Sequence, residues 1–129
     1  MAGTNWFTTA VMSTLLFACV RAPQQTASSA RNSLDEDQIE QLHATSAYEV
    51  VARTHAEFLH SRGRESLDPN TPPVPAHVFV DDTYYGGIAT LRMIPASQVS
   101  EIHFFQGYDA QLKFGSGHMG GVVQVITKR

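Results

Sequence analysis

The sequence contains little cysteine and few charged residues, and each of these features excludes some classes of function. One cysteine among 129 residues excludes an intramolecular disulfide framework, a cysteine-based zinc finger and a CxxC redox pair. Nine basic residues stand against 12 acidic ones, and the resulting net charge of −3 disfavours electrostatic binding to nucleic acid. The hydrophobic content of 43% argues against wholesale disorder, and the length suits one modest domain.

No charged side chain precedes Arg21. The apolar run 6–20 is shorter than the ~20 residues that span a bilayer, but it suits the hydrophobic region of a secretory signal. Residues 16–19, LFAC, resemble the bacterial lipobox, whose cysteine becomes lipid-modified. An unpaired thiol is also a liability in an oxidising compartment. We therefore predict a lipoprotein-type signal peptide at 1–18 and lipidation of Cys19. The alternatives are a plain secretory signal or a retained segment.

The remaining chain divides into a tether and a domain. Residues 19–33 are rich in Ala, Ser and Gln without a hydrophobic period, which predicts a flexible tether before a domain at 34–129. Ser33 is the predicted cap of a short helix at 34–42. Ser46 and Glu49 form a predicted capping box for a longer helix, with an apolar face to residue 59 and Gly63 at its C-terminal end.

The second half alternates between strand and helix signals. Strands are predicted at 77–80, 99–105 and 121–127, with short helices at 88–94 and 108–114. Four prolines make 68–76 a rigid loop, and residues 85–87 are a predicted turn. The predicted fold class is α+β, a short mixed sheet with short helices.

Four blocks of the second half, in order, resemble the plug domain of TonB-dependent outer-membrane receptors. They are PAHVFVDD at 75–82, IPASQVSEI at 94–102, GYDA with FGSG at 107–117, and GGVVQVITKR at 120–129. The resemblance is strong over 75–129 and loose over 45–74. It implies that Asp82 occupies a turn position where the family usually has glycine. It also implies structural roles for six residues: Pro95, Gly107, Gly115, Gly117, Gly120 and Gly121.

The resemblance implies a free-standing plug-like domain. The chain ends where a receptor's barrel would begin, and residues 20–45 carry no convincing TonB box, so we expect it to act without a pore. The expected function is a non-enzymatic, lipid-anchored interaction module at the outer membrane or in the periplasm. The alternatives are the plug of a split or truncated receptor, or a small metal-binding protein.

The expected contacts lie in the loops 81–87 and 106–120. The candidate interaction residues are Asp81, Asp82, Tyr84, Tyr85, Phe105, Tyr108 and His118. Exposed aromatic side chains beside polar turns suit a protein contact. The expected partner is an outer-membrane barrel or a periplasmic protein. Binding of a small ligand by the same loops is an alternative that the sequence leaves open.

The sequence gives only weak indications of catalysis or of cofactor binding. Gly115, Gly117 and Gly120 match a dinucleotide fingerprint, but a helix precedes them and a strand follows, which is the wrong context. The acids at 81, 82 and 109 are more typical of amide capping than of catalysis. A metal site of His77, His103 and Asp81 is conceivable, although solvated histidines are favoured. We therefore expect no catalytic residue, cofactor or metal.

Overall fold

The computed structural model describes residues 32–129, so the predicted signal peptide, Cys19 and nearly all of the tether lie outside the described residues. A five-stranded sheet forms the centre of the described part. Its strands are β1 (Ser33–Leu34), β2 (His77–Val80), β3 (Thr83–Gly87), β4 (Val99–Phe105) and β5 (Val122–Thr127), in the order β1-β4-β5-β2-β3. Only β2 and β5 pair in parallel, so the sheet is mixed and the predicted α+β class is confirmed.

Three α-helices and three 3₁₀-helices surround the sheet within residues 32–129. The α-helices are α1 (Glu36–Gln41), α2 (Ala47–Thr54) and α3 (Gly107–Phe114). The 3₁₀-helices are Ala56–Leu59, Ile88–Met93 and Ala96–Gln98. Pro95 separates the last two, in agreement with its predicted role of ending one helix before β4.

The ends of the first helices correct the sequence interpretation. Ser33 does not cap α1, because it pairs with His103 as part of β1, and Asp35 supplies the capping box with Gln38. Ser46 does cap α2: its hydroxyl oxygen accepts a hydrogen bond from the Glu49 N–H at 3.4 Å. The predicted single helix to residue 59 breaks at His55 and continues as a 3₁₀ turn.

Gly63 does not end a helix, which is a second correction. It forms an isolated bridge with Val74, which brings the segment after the helix alongside the proline-rich loop. A Cβ at this position would lie 1.8 Å from the Met119 carbonyl oxygen. Glycine is therefore required because two backbones meet here, not because a helix stops.

One face of the sheet, the inner face, carries the main core. Alternate strand residues point to it, and they pack against α2 and the 3₁₀-helices. Its fully buried side chains include Val78, Ile102, Phe104, Val123, Val125, Val50, Val51, Phe58 and Leu91. The alternation of apolar residues in β4 and the run of valines in β5 account for these positions.

The turn between β2 and β3 is a tight hairpin formed by two aspartates. Asp81 and Asp82 have φ of 46° and 66°, and positive φ at both central residues is the signature of a type I′ turn. The turn position inferred for Asp82 is confirmed. The turn predicted at 85–87 is wrong, because these residues belong to β3, and Tyr85 is an unpaired bulge residue between Tyr84 and Gly86.

The glycine-rich loop 115–121 connects α3 to β5. Gly115, Gly117 and Gly121 have φ near 95°, as expected for positive-φ turns. Gly120 differs from that expectation, because its φ is not positive; a Cβ there would lie 2.1 Å from the Pro75 carbonyl oxygen. The loop is thus pressed against the residues that lead into β2.

Candidate functional site

The second face of the sheet, opposite the inner face, collects most of the polar and aromatic candidates. Strand register places His103, Gln124, Phe79 and Tyr84 in one row across four strands. The neighbouring row holds Phe105, Val122, His77 and Gly87. In the described part of the chain, α3 is the helix that packs on this face, where Ala110 is buried against Phe79 and Val122.

Aromatic rings fill the space between α3 and the sheet. The Phe114 ring lies 4.3 Å from that of Phe79 and 5.4 Å from that of Phe105, centroid to centroid. Tyr84 meets Phe79 edge-on at 5.6 Å. Tilted and edge-on arrangements at these distances are the favourable ones for aromatic pairs. This aromatic layer, consisting of Phe79, Tyr84, Phe105 and Phe114, ties α3 and the β2–β3 hairpin to the sheet.

Two histidines from distant parts of the chain meet at the edge of this layer. His77 opens β2 and His118 lies in the glycine-rich loop, and their Nδ1 atoms are 2.9 Å apart. One imidazole must therefore donate its Nδ1–H to the other. The contact arises because Gly120 lets the loop pack directly on Pro75, two residues before His77.

The environment of His118 disfavours its charged form. Burial lowers the pKa of the His118 imidazole, the nearby His77 lowers it further, and the Glu65 carboxylate acts in the opposite direction. The rings of Phe79 and Phe114 lie 5.5 and 6.4 Å from that of His118, and they supply part of the apolar surroundings. His118 therefore favours the neutral form at neutral pH.

A chain of three hydrogen-bonded polar side chains, here called the polar relay, crosses the second face beside the aromatic layer. The Lys113 ammonium of α3 donates to Gln124 Oε1 at 2.8 Å, and the Gln124 amide donates to the Asp82 carboxylate. Gln124 is only 4% exposed, so its side-chain amide is buried. The two hydrogen bonds give both the oxygen and the nitrogen of this amide a partner, as buried polar groups require. Lys113 also lies 4.5 Å above the Phe105 ring. The relay links α3, β5 and the β2–β3 hairpin.

The three-residue metal site considered from the sequence does not form. His77 pairs with His118, whereas His103 lies 3.2 Å from the Glu101 carboxylate. Asp81 is engaged elsewhere, since the Thr127 N–H and hydroxyl donate to its carboxylate at 3.0 and 2.6 Å. Within residues 32–129, no three His, Cys, Asp or Glu side chains are grouped closely enough to enclose a metal ion.

The candidate interaction residues fall into three groups. Asp82, Tyr84, Phe105 and His118 border the second face, whereas Asp81 closes the hairpin against the end of β5. The exposed tyrosines project large side chains into solvent: Tyr84 at 56%, Tyr85 at 48% and Tyr108 at 70%. Leu112, one turn after Tyr108 on α3, is 71% exposed and was not among the candidates.

Sequence reasoning missed the His77–His118 pair, Lys113 and Gln124. The pair joins residues 41 positions apart, and no local pattern reports such a contact. Gln124 offered a weak signal as the one polar residue within VVQVI. A polar residue inside an apolar strand marks a position that needs buried hydrogen-bond partners.

A shallow cavity lies away from the second face. It has a volume of about 360 Å³ and is lined by Ile39, Glu40, His43, Ala44, Ala96, Ser97 and Lys128. Lys128 is already paired there with Glu36 at 2.7 Å and with Glu40 at 3.4 Å. Contact with these carboxylates, Glu36 first, raises the pKa of the Lys128 ammonium. The cavity includes none of the candidate interaction residues.

Within the described range 32–129, no helix is both long and apolar enough to cross a bilayer.

Comparison with known proteins supports the fold. No protein-family model matches the chain, and no curated protein matches it significantly. Among solved structures, the chain is similar to a mutant of the ferric enterobactin receptor PfeA from Pseudomonas aeruginosa, in complex with enterobactin. The TM-score is 0.52 at 18% identity, over 75% of this chain and 17% of the receptor chain. At this identity the likeness concerns the fold alone, and it is consistent with the plug-like domain inferred from the sequence blocks.

Proposed function

We propose that this chain is a non-enzymatic, plug-like interaction module, anchored by a lipid on Cys19 and facing the periplasm. The likeness of its fold to part of an outer-membrane receptor carries this proposal. No catalytic step belongs to it. The lipobox-like residues 16–19 support the anchor, and the tether predicted at 19–33 would hold the domain off the membrane.

The proposed contact surface, here called the aromatic surface, consists of Tyr84, Tyr85, Tyr108 and Leu112. All four side chains are about half exposed or more. Tyr108 and Leu112 are one turn apart on α3, and Tyr84 joins them through the aromatic layer beneath. Tyrosine loses little side-chain entropy on binding and is enriched among the residues that dominate binding energy. A partner protein of the outer membrane or periplasm is the proposed occupant.

Photocrosslinking in cells tests this surface. A benzoylphenylalanine at position 85 or 108 is expected to trap the same envelope protein on irradiation. Position 93 is the matched control, because Met93 is 75% exposed and belongs to a 3₁₀-helix packed on the inner face. Adducts that form equally at position 93, or none at 85 and 108, would contradict the proposal.

Metabolic labelling tests the anchor separately. Radiolabelled palmitate is expected to enter the wild-type protein and not a Cys19→Ser variant. Label that enters both proteins equally, or neither, rules out lipidation at Cys19. A negative result here leaves the aromatic surface to be judged by crosslinking alone.

A second candidate is the plug of a receptor whose barrel is a separate polypeptide. The observation in its favour is that the fold is similar to one part of a receptor chain. In that case the crosslinked partner is a β-barrel protein whose gel mobility changes on boiling, and it copurifies in equal amount. A partner without that heat-dependent shift contradicts the split receptor and leaves the interaction module.

A further inference from the structure

Two metal-binding side chains, those of His77 and His118, lie in direct contact. Their Nδ1 atoms lie 2.9 Å apart, and both residues are half-buried. One belongs to a strand and the other to a loop, so the two rings come from independently anchored backbones. The ring planes are nearly perpendicular, at 89°.

The two nitrogens are close enough together to bind one metal ion. Metal–imidazole bonds are about 2.0–2.1 Å long, so two nitrogens at the tetrahedral angle lie about 3.3–3.4 Å apart. Two nitrogens bound at right angles lie about 2.8–3.0 Å apart, and right angles are those of tetragonal or square-planar ions such as copper(II). The hydrogen bond sets the 2.9 Å separation of the metal-free pair, and a small rotation of either ring reaches either geometry. Copper(II) is the divalent first-row ion that sites of nitrogen and oxygen ligands bind most tightly. We propose that His77 and His118 bind copper(II) as two adjacent ligands through Nδ1.

The proton balance of this step is simple. In the metal-free pair one ring carries its proton on Nδ1 and donates it to the other. When copper binds, that ring takes the tautomer with the proton on Nε2, and both Nδ1 lone pairs face the metal. Neither neutral imidazole loses a proton overall, and no redox change is involved.

The surroundings hold both rings in place. His77 contacts Tyr84 at 5.6 Å, and His118 contacts Phe79 at 5.5 Å. The backbone of the His118 loop is fixed by the close packing of Gly120 on Pro75. Because the rings are confined before the metal arrives, little side-chain entropy is lost on binding.

A carboxylate beside the loop can supply a third ligand. Glu65 Oε1 lies 3.9 Å from the position that a Cβ on Gly117 would occupy, adjacent to His118. Glu65 is not grouped with the pair in the present structure, but it is exposed, so its side chain can rotate toward the two histidines. Two nitrogens, one carboxylate oxygen and water form a mixed N,O set, which suits copper(II). The site depends on neither the lipid anchor nor a partner protein.

Copper titration of the full chain tests the proposal. All proteins carry Cys19→Ser, so that the single thiol cannot reduce the metal, and copper sulfate is added in a glycine-containing buffer that suppresses loose binding. We expect one equivalent to bind, with nitrogen superhyperfine splitting from two imidazoles in the electron paramagnetic resonance spectrum. Quenching of tyrosine fluorescence, Tyr84 being next to His77, gives the affinity.

Single substitutions separate this site from nonspecific binding. His77→Gln and His118→Gln are each expected to weaken copper binding about tenfold or more and to leave one nitrogen in the spectrum. Glu65→Gln is expected to weaken it less. His60→Gln is the control, because His60 is an exposed histidine with no part in the pair, and it should bind as the parent does.

Three results would overturn the proposal. One is parental copper affinity in the double variant His77→Gln/His118→Gln, with circular dichroism showing that the variant is folded. Another is an unchanged nitrogen pattern in either single variant. The third is zinc binding tighter than copper in the same buffer, which would contradict the assignment of the ion as copper(II).

Discussion

Replacement of Gln124 by leucine should destabilise the domain by removing the polar relay of the second face. Gln124 accepts a hydrogen bond from the Lys113 ammonium and donates one to the Asp82 carboxylate. Hydrogen bonds to charged groups contribute about 1.5–3 kcal/mol each to stability, so two account for at least about 3 kcal/mol. A buried leucine regains about 1 kcal/mol of apolar burial. The net loss in the free energy of unfolding is then about 2 kcal/mol.

Urea denaturation measures this loss. For a domain of this size the denaturant slope is about 1–2 kcal/mol per molar, so the midpoint should fall by about 1–2 M. Gln98→Leu is the matched control, because Gln98 is exposed and outside the relay, and it should change stability by less than about 0.5 kcal/mol. Combination with Lys113→Met should recover part of the loss, since the two residues share a bond.

A Gln124→Leu variant as stable as the wild type would contradict this prediction. That result would mean that water satisfies the ends of the relay, Lys113 and Asp82, as well as the amide does. It would also mean that α3, with Tyr108 and Leu112, is held on the sheet without the relay.

Two further predictions concern the loop and the hairpin. Gly120→Ala should lower the free energy of unfolding by about 3 kcal/mol, because the new Cβ would lie 2.1 Å from the Pro75 carbonyl oxygen. Urea unfolding measures this loss. Gly87→Ala is the control, because no atom lies within 4 Å of the position of its Cβ. Hydrogen bonds from the Thr127 hydroxyl and N–H lower the pKa of the Asp81 carboxyl. A lowered folded-state pKa contributes stability above about pH 4, and this is lost as the pH falls through the folded value. Thr127→Val should therefore be less stable than the wild type at pH 7 and approach it in acid; equal differences at both pH values would contradict this.

Much of the sheet could be predicted, because its longer strands carry their own signals. Residues 77–80 and 99–105 have apolar residues at strand spacing, and 122–127 is rich in valine and isoleucine. Strand β1 could not be predicted, since two residues, Ser33 and Leu34, are extended only because they pair with β4. In β3 the glycines 86 and 87 signalled a turn, but pairing with β2 keeps them in the sheet.

The candidate residues could be predicted from their types, but their contacts could not. Residue type predicts binding chemistry for Tyr84 and His118, but the loop predicted at 81–87 is wrong for Tyr84, which belongs to β3. That they border the same face depends on the parallel pairing of β2 with β5, which joins segments more than 40 residues apart. The partners of His118 and Gln124 follow from this pairing, so a local pattern could not have revealed them.

The two faces of the sheet differ in how substitutions on them should act. The inner face is closed by α2 and the 3₁₀-helices and contains the fully buried aliphatic side chains, so truncations there should unfold the protein. The second face is closed by the eight-residue helix α3 and retains a buried amide, two paired histidines and half-exposed aromatics. A face that keeps polar and titratable groups at some cost in core packing is where function is expected. Substitutions of the exposed Tyr108 and the half-buried His118 should therefore change binding while the fold persists.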